Sequence, residues 1–137
     1  MLLTTDDARR ALATIEANWN AAAAQWDTDR LTSVYTCDAL FFGGRPGHSV
    51  GAGAIRDYFA SYEGVIESAT LKLVDQAFIW LAEDCFLAQG YGEFSFALSG
   101  GTLSHSRLRT TLTITMQGGE WRIRQHHFST TPDSPPI

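Results

Sequence analysis

From residue 66 onward, long stretches rich in β-branched and aromatic residues alternate with short turn signals, and this restricts the fold more than any other feature. The pattern predicts strands over about 68–81, 84–98, 102–117 and 120–130. Glu83-Asp84 separates the first two, Ser99-Gly100-Gly101 the next pair and Gly118-Gly119 the last. A Gly-Gly pair suits a two-residue hairpin because both residues accept positive φ. The third stretch sets Leu108, Leu112, Ile114 and Met116 on one face and Arg107, Arg109, Thr111, Thr113 and Thr115 on the other. For this strand, alternation alone leaves open which face bounds the core. In the fourth, regular alternation puts Trp121, Ile123, Gln125, His127 and Ser129 on one side, which the tryptophan and isoleucine mark as the inner one. Arg122, Arg124, His126 and Phe128 then face away, with His126 at the surface or a subunit interface.

The first half reads differently. Leu12, Ile15, Trp19 and Trp26 recur at helical spacing and predict a helix over 5–26, capped by Thr4 or Thr5, with Asp6 and Asp7 in its first turn. Asp27 opens a short second helix to about Tyr35, with Leu31, Val34 and Tyr35 buried. Residues 39–42 predict a strand and 43–53 a glycine-rich loop. Ile55, Phe59 and Tyr62 mark a helix over 52–62. Helices placed before a consecutive antiparallel meander indicate an α+β domain, a cone of N-terminal helices packed on a curved, mainly antiparallel sheet, with a cavity between the first helix and the sheet.

With 45% hydrophobic residues the 137-residue chain can bury one core. A single domain over residues 1–131 is expected, followed by a flexible proline-rich tail over 132–137. Net charge is −5, and the only lysine, Lys72, stands with nine arginines in no basic run. Nucleic acid and anionic membranes are therefore not expected partners. No apolar run reaches the roughly 20 residues of a membrane helix. The segment MLLTTDDARR carries acids where a secretory signal has bases, and Cys37 and Cys85 form no motif, so a cytoplasmic location is expected. His48, His105, His126 and His127 have no ligand spacing, so neither a metal nor a cofactor is expected.

Three phrases resemble the nuclear transport factor 2-like superfamily, which includes SnoaL-like, ketosteroid isomerase-like and calcium/calmodulin-dependent kinase II association domains. They are Trp19 followed by the stretch from Asp27 through Asp38-Ala39, the segment Gly51–Phe59 (GAGAIRDYF), and the terminal hairpin. That hairpin, Arg109-Thr110-Thr111, Gly118-Gly119, Trp121-Arg122-Ile123 and His126-His127-Phe128-Ser129, is similar to the small bacterial SnoaL-like group and to the kinase association domain. The resemblance implies the cone-shaped fold, a small-molecule pocket and a homodimer. It does not choose a chemistry, because this scaffold carries enzymes, ligand binders and assembly modules alike.

By the resemblance, the isomerase base would fall near Gly43 and the isomerase tyrosine near Trp19, and neither supplies the needed group. An epoxide hydrolase-like arrangement would use Arg109, with Glu93 the one available acid. A dehydratase-like arrangement would use His127 as base and Tyr91 or Tyr58 to polarise a carbonyl, without an aspartate partner. The expected site therefore comprises His127 as the catalytic candidate, with Arg109, Trp19, Tyr58, Tyr91, Glu93 and Ser129 as ligand contacts. Arg109 is assigned to an anionic group because a guanidinium pairs with two carboxylate oxygens at once. Two functions stand side by side. One is a small-molecule pocket, possessing or lacking general acid–base chemistry. The other is a non-catalytic homodimeric module whose outer face includes Thr111, Thr113, Arg122, Arg124 and Phe128.

Overall fold

The protein, described over residues 2–137 by a computed structural model, has three helices and six strands. Helix α1 spans Thr5–Ala23, α2 Thr28–Ser33 and α3 Ala52–Ala60. The strands are β1 (Tyr35–Phe42), β2 (His48–Val50), β3 (Ile66–Ala82), β4 (Cys85–Leu98), β5 (Leu103–Gln117) and β6 (Glu120–Ser129). They form one curved sheet in the order β2-β1-β6-β5-β4-β3. Only β1 and β6 run parallel; the other neighbours are antiparallel. The expected α+β cone is the observed fold.

Helix α1 begins in a capping box: the Thr4 hydroxyl accepts from Asp7 N at 3.1 Å, and the Asp7 carboxylate accepts from Thr4 N at 2.9 Å. Its buried stripe, Ala8, Ala11, Leu12, Ile15, Trp19, Ala22 and Ala23, advances by three and four residues. The helix stops three residues before the expected end. Trp26 takes the left-handed conformation (φ 46°) and Asp27 N reaches back to Ala22 O at 2.9 Å. A left-handed non-glycine residue costs about 1–2 kcal/mol. Here the Trp26 indole offsets it by donating to Phe59 O at 3.0 Å and packing edge-on against Trp19 and Phe59.

Strand β3 lies at the sheet edge, where unpaired backbone groups invite other chains. Helix α1 covers part of that edge with side chains. The Asn20 amide donates to Leu71 O at 2.9 Å and accepts from Leu71 N at 2.7 Å, and Glu16 accepts from Leu73 N at 2.7 Å. These bonds fix the distance between α1 and the sheet. The core then fills the concave side, with Phe41, Phe59, Phe86, Ile15, Leu112 and Ile114 almost fully buried.

Tyr35, expected on the second helix, instead begins β1, and a short β2 lies within the expected glycine-rich loop. Strand β2 contributes three residues to the edge, with Leu40 opposite Val50 and Phe42 opposite His48. Beyond Ser129 the chain has no regular element. No helix among the described residues is long and apolar enough to cross a membrane.

Two strand irregularities matter. In β3 the pairing with β4 shifts between Val74 and Ala77, and Asp75 turns left-handed (φ 54°). The Gln76 amide closes the distortion on Tyr91 O at 3.1 Å. Gly90 faces this bulge: a Cβ there would stand 2.5 Å from Asp75 O, a backbone atom. Gly90→Ala is therefore expected to destabilise the domain by about 1–3 kcal/mol in denaturant unfolding. Gly53→Ala, in the open first turn of α3, is expected to stabilise it by about 0.4–1 kcal/mol. Equal midpoints for the two variants would contradict this packing.

Candidate functional site

The second irregularity lies in β6. Thr113 pairs with Gln125, but Ile114 pairs with Ile123, so Arg124 is an extra residue on this strand. A single inserted residue reverses which side every later residue faces. Trp121 and Ile123 point inward, as expected. After the bulge, His126 and Phe128 point inward, and His127 and Ser129 join the outer face. The expectation for His126 and Phe128 as outer residues and His127 as an inner one is thereby corrected. His126 is 1% exposed, while His127 is exposed. Strand β5 has no such defect, and its Leu108, Leu112 and Ile114 line the inner side.

A cavity of about 360 Å³ opens between α1, α3 and the concave sheet face. Ten of its sixteen lining residues are aromatic, and none is an acid, a lysine, an arginine or a histidine. Trp19 and Trp26 come from α1 and its exit turn, Tyr58 from α3, and Phe94 and Phe128 from the sheet. The rings brace one another edge to face: Trp19 on Phe94 at 6.0 Å and Phe41 on Tyr58 at 4.6 Å. On the loop side, the Tyr58 hydroxyl accepts from Gly44 N at 2.9 Å. Gly43 makes this approach possible, since a Cβ there would lie 2.5 Å from the Tyr58 oxygen. Burial raises the Tyr58 pKa, so its phenol stays protonated.

Tyr35 brings polarity to this apolar space. Its hydroxyl is 2.9 Å from His126 Nδ1, behind the cavity wall. His126 is enclosed by the rings of Tyr35, Phe41 and Phe128. Burial pushes its pKa down to about 3, and neighbouring His127 adds a smaller push in the same direction. Burial raises the Tyr35 pKa strongly; the Trp19 indole opposes that rise in part, but does not reach a hydrogen bond. The Trp19 Nε1–H is therefore buried without a partner, as are His126 Nε2 and Thr110 Oγ1. An unpaired buried polar group costs about 1–3 kcal/mol.

The seven expected site residues fall into two sets on opposite faces. Trp19 and Tyr58 line the cavity. Tyr91, Arg109, His127 and Ser129 share a shallow groove on the outer face, about 450 Å³ in volume. Strand register makes them neighbours: Tyr91 is opposite Arg109, Arg109 opposite Ser129, and Thr111 opposite His127. Glu93 lies one position further on, 3.3 Å from Arg107, which also pairs with Asp75 at 3.1 Å. His127 and Arg109 thus meet each other but not the cavity. Tyr35, His126, Phe94 and Phe128 were not expected at the pocket. One signal was available: Ile123 and Phe128 are five residues apart, an odd spacing that a regular strand cannot bury on one side. Among the described residues, no cluster of three or more His, Cys, Asp or Glu side chains is placed to hold a metal ion.

A family model described as SnoaL-like domain matches residues 12–134. Among solved structures, a Xanthomonas campestris protein provisionally assigned as a calcium/calmodulin-dependent protein kinase II association domain superposes with a TM-score of 0.82 at 21% identity, over 98% of this chain and 95% of the other. A Novosphingobium aromaticivorans protein provisionally assigned as a scytalone dehydratase gives 0.79 at 10% identity, over 91% and 85%. A nuclear transport factor 2-like superfamily protein from Salmonella enterica gives 0.75 at 18% identity, over 97% of each chain. At these identities the likeness is one of fold. Curated proteins offer no significant match.

The buried His126 makes stability depend on pH. The unfolded ring takes up a proton near its ordinary value of 6.5, whereas the folded ring resists protonation down to about 3. The stabilisation is complete above about pH 6.5 and is lost as pH falls toward 3, by at most roughly 1.4 kcal/mol per pH unit. Unfolding midpoints measured across this range should fall less steeply for His126→Asn than for the native chain. Parallel curves would place the ring in solvent.

Proposed function

The chain belongs to the SnoaL-like domain family, and from that premise we propose that it takes an uncharged, mainly apolar small molecule into the cavity between α1 and the sheet. The carrying observation is a cavity of about 360 Å³ walled by aromatic rings and free of ionised side chains. That volume is within the usual range for small-molecule sites, roughly 300–1,000 Å³. A charged ligand would lose its water there without gaining a counter-charge.

The cavity favours binding over general acid–base turnover. Its titratable groups are Tyr35, Tyr58 and Tyr62, backed by His126. Burial holds the Tyr35 and Tyr58 phenols protonated and leaves His126 a weak base near neutrality. His127, the catalytic candidate from sequence, keeps a role only in the outer groove, where Arg109 has no ion pair among the described residues.

The outer face supports the homodimer. Leu40, Phe42 and Val50 are 43–58% exposed in one strip at its edge, and Phe42 stacks on His48 at 4.3 Å. Beside them lie the uncharged Thr111, Thr113 and Gln125. Uncharged polar residues beside an apolar edge fit a second copy in a two-fold contact.

The neutral fluorophore N-phenyl-naphthylamine should bind with one-to-one stoichiometry and a blue-shifted emission. Leu108→Trp, which fills the cavity from β5, should weaken it at least roughly tenfold, a loss of about 1.4 kcal/mol. Absence of saturable binding to the native chain would end the cavity reading. Separately, Phe42→Glu should turn a dimer into a monomer in sedimentation at micromolar concentration. A native monomer would remove the dimer.

A further inference from the structure

We propose that residues 43–47, Gly-Gly-Arg-Pro-Gly, form a flap at the cavity entrance, hinged on glycine and clasped by Arg45, and that the ligand enters where this flap lifts. This rests on the cavity reading and concerns access to that same site.

The cavity wall itself singles out this segment. Only Trp26, Gly44, Tyr62 and Val65 line the cavity from outside the helices and strands. Trp26 is fixed by its indole bond to Phe59 O. Tyr62 O accepts from Val65 N at 2.9 Å and from Ile66 N at 3.0 Å, which fixes that turn as well. The pairing of β1 with β2 ends at Phe42 and His48. Between them, residues 43–47 make no main-chain to main-chain hydrogen bond among the described residues. Glycine at 43, 44 and 47 lets the backbone turn at both ends of the segment, and Gly47 stands in open space.

Side chains hold the segment down instead. Gly44 N donates to the Tyr58 hydroxyl at 2.9 Å. Arg45 Nε donates to the Ser61 hydroxyl at 2.8 Å and its Nη2 to Ser61 O at 3.1 Å. The same guanidinium lies 4.3 Å from the centre of the Tyr62 ring. Three of these four contacts belong to Arg45, and its two bonds to Ser61 are exposed, where a hydrogen bond exchanges readily with water. Gly44 is exposed and yet lines the cavity, so it stands at the rim. A second recess of about 340 Å³ shares Gly44, Leu108 and Phe128 with the cavity. The partition between the two spaces is thus a bare backbone beside two side chains. Once Arg45 lets go, movement of Gly44 opens the rim and joins the cavity to the recess.

Stopped-flow binding of N-phenyl-naphthylamine, combined with amide hydrogen exchange, tests this. Arg45→Ala should raise the association and dissociation rates together, each at least roughly fivefold, and leave the equilibrium constant within about twofold. Arg45→Lys keeps a charge over Tyr62 but loses the forked grip on Ser61, so its rates should fall between the two. In Arg45→Ala the Gly44 amide should exchange faster, while the Leu71 amide, bonded to Asn20, keeps its native rate and reports an intact fold. Unchanged binding rates beside a faster Gly44 amide would place the entrance elsewhere and overturn the flap, with the cavity left standing. An unchanged Gly44 amide would overturn Arg45 as its clasp. Faster exchange at Leu71 as well, or weaker binding with an unaltered association rate, would make Arg45 a structural support and overturn the proposal too. If the native chain shows no saturable binding, the cavity reading falls and this inference with it.

Discussion

One inserted residue in β6 sets the chemistry of the inner face. Without the bulge at Arg124, His127 would look into the core and Phe128 would face solvent. With it, an imidazole lies behind the cavity wall at the one place where Tyr35 can reach it, 2.9 Å away. The bulge itself is held at the surface: Arg124 pairs with Asp38 at 3.2 Å, and Asp38 accepts from the Thr36 hydroxyl at 2.8 Å. These two contacts keep the Asp38 carboxyl below its usual pKa, the Thr36 bond first. Both groups are exposed, so this pair orients the extra residue more than it stabilises the domain.

The cavity exists because its walls are spaced by bonds and not by packing alone. Asn20 and Glu16 hold α1 on the edge of β3, and Trp26 ties the exit of α1 to α3 through Phe59 O. Between these fixed points the rings meet edge to face. The same spacing leaves the Trp19 N–H without an acceptor.

The meander, the hairpin at Gly118-Gly119 and the helical stripe through Trp19 were legible in the sequence because each follows from local periodicity. The functional face was not. Alternation is a reliable guide only while the strand stays regular, and the change from Ile123 to Phe128 as the buried residue is the trace of its failure. Tyr35 was hidden differently: helical spacing through Leu31 and Val34 runs directly into the first strand, and Tyr35 is buried in either conformation. Trp19 and Tyr58 were assigned to the pocket and lie there. Register makes Arg109, Tyr91, His127 and Ser129 neighbours, on the side of the sheet away from the cavity. Only tertiary structure decides which side of a sheet the helices cover.

The most direct measurement is a two-dimensional long-range ¹H–¹⁵N spectrum of the histidine rings, followed as pH is lowered from about 8 to about 4, a range bounded by ordinary histidine and carboxylate titration. The expected result is that His126 keeps the chemical shifts of a neutral ring throughout. A His126 ring that gains a proton near 6.5 would contradict the inward turn of β6.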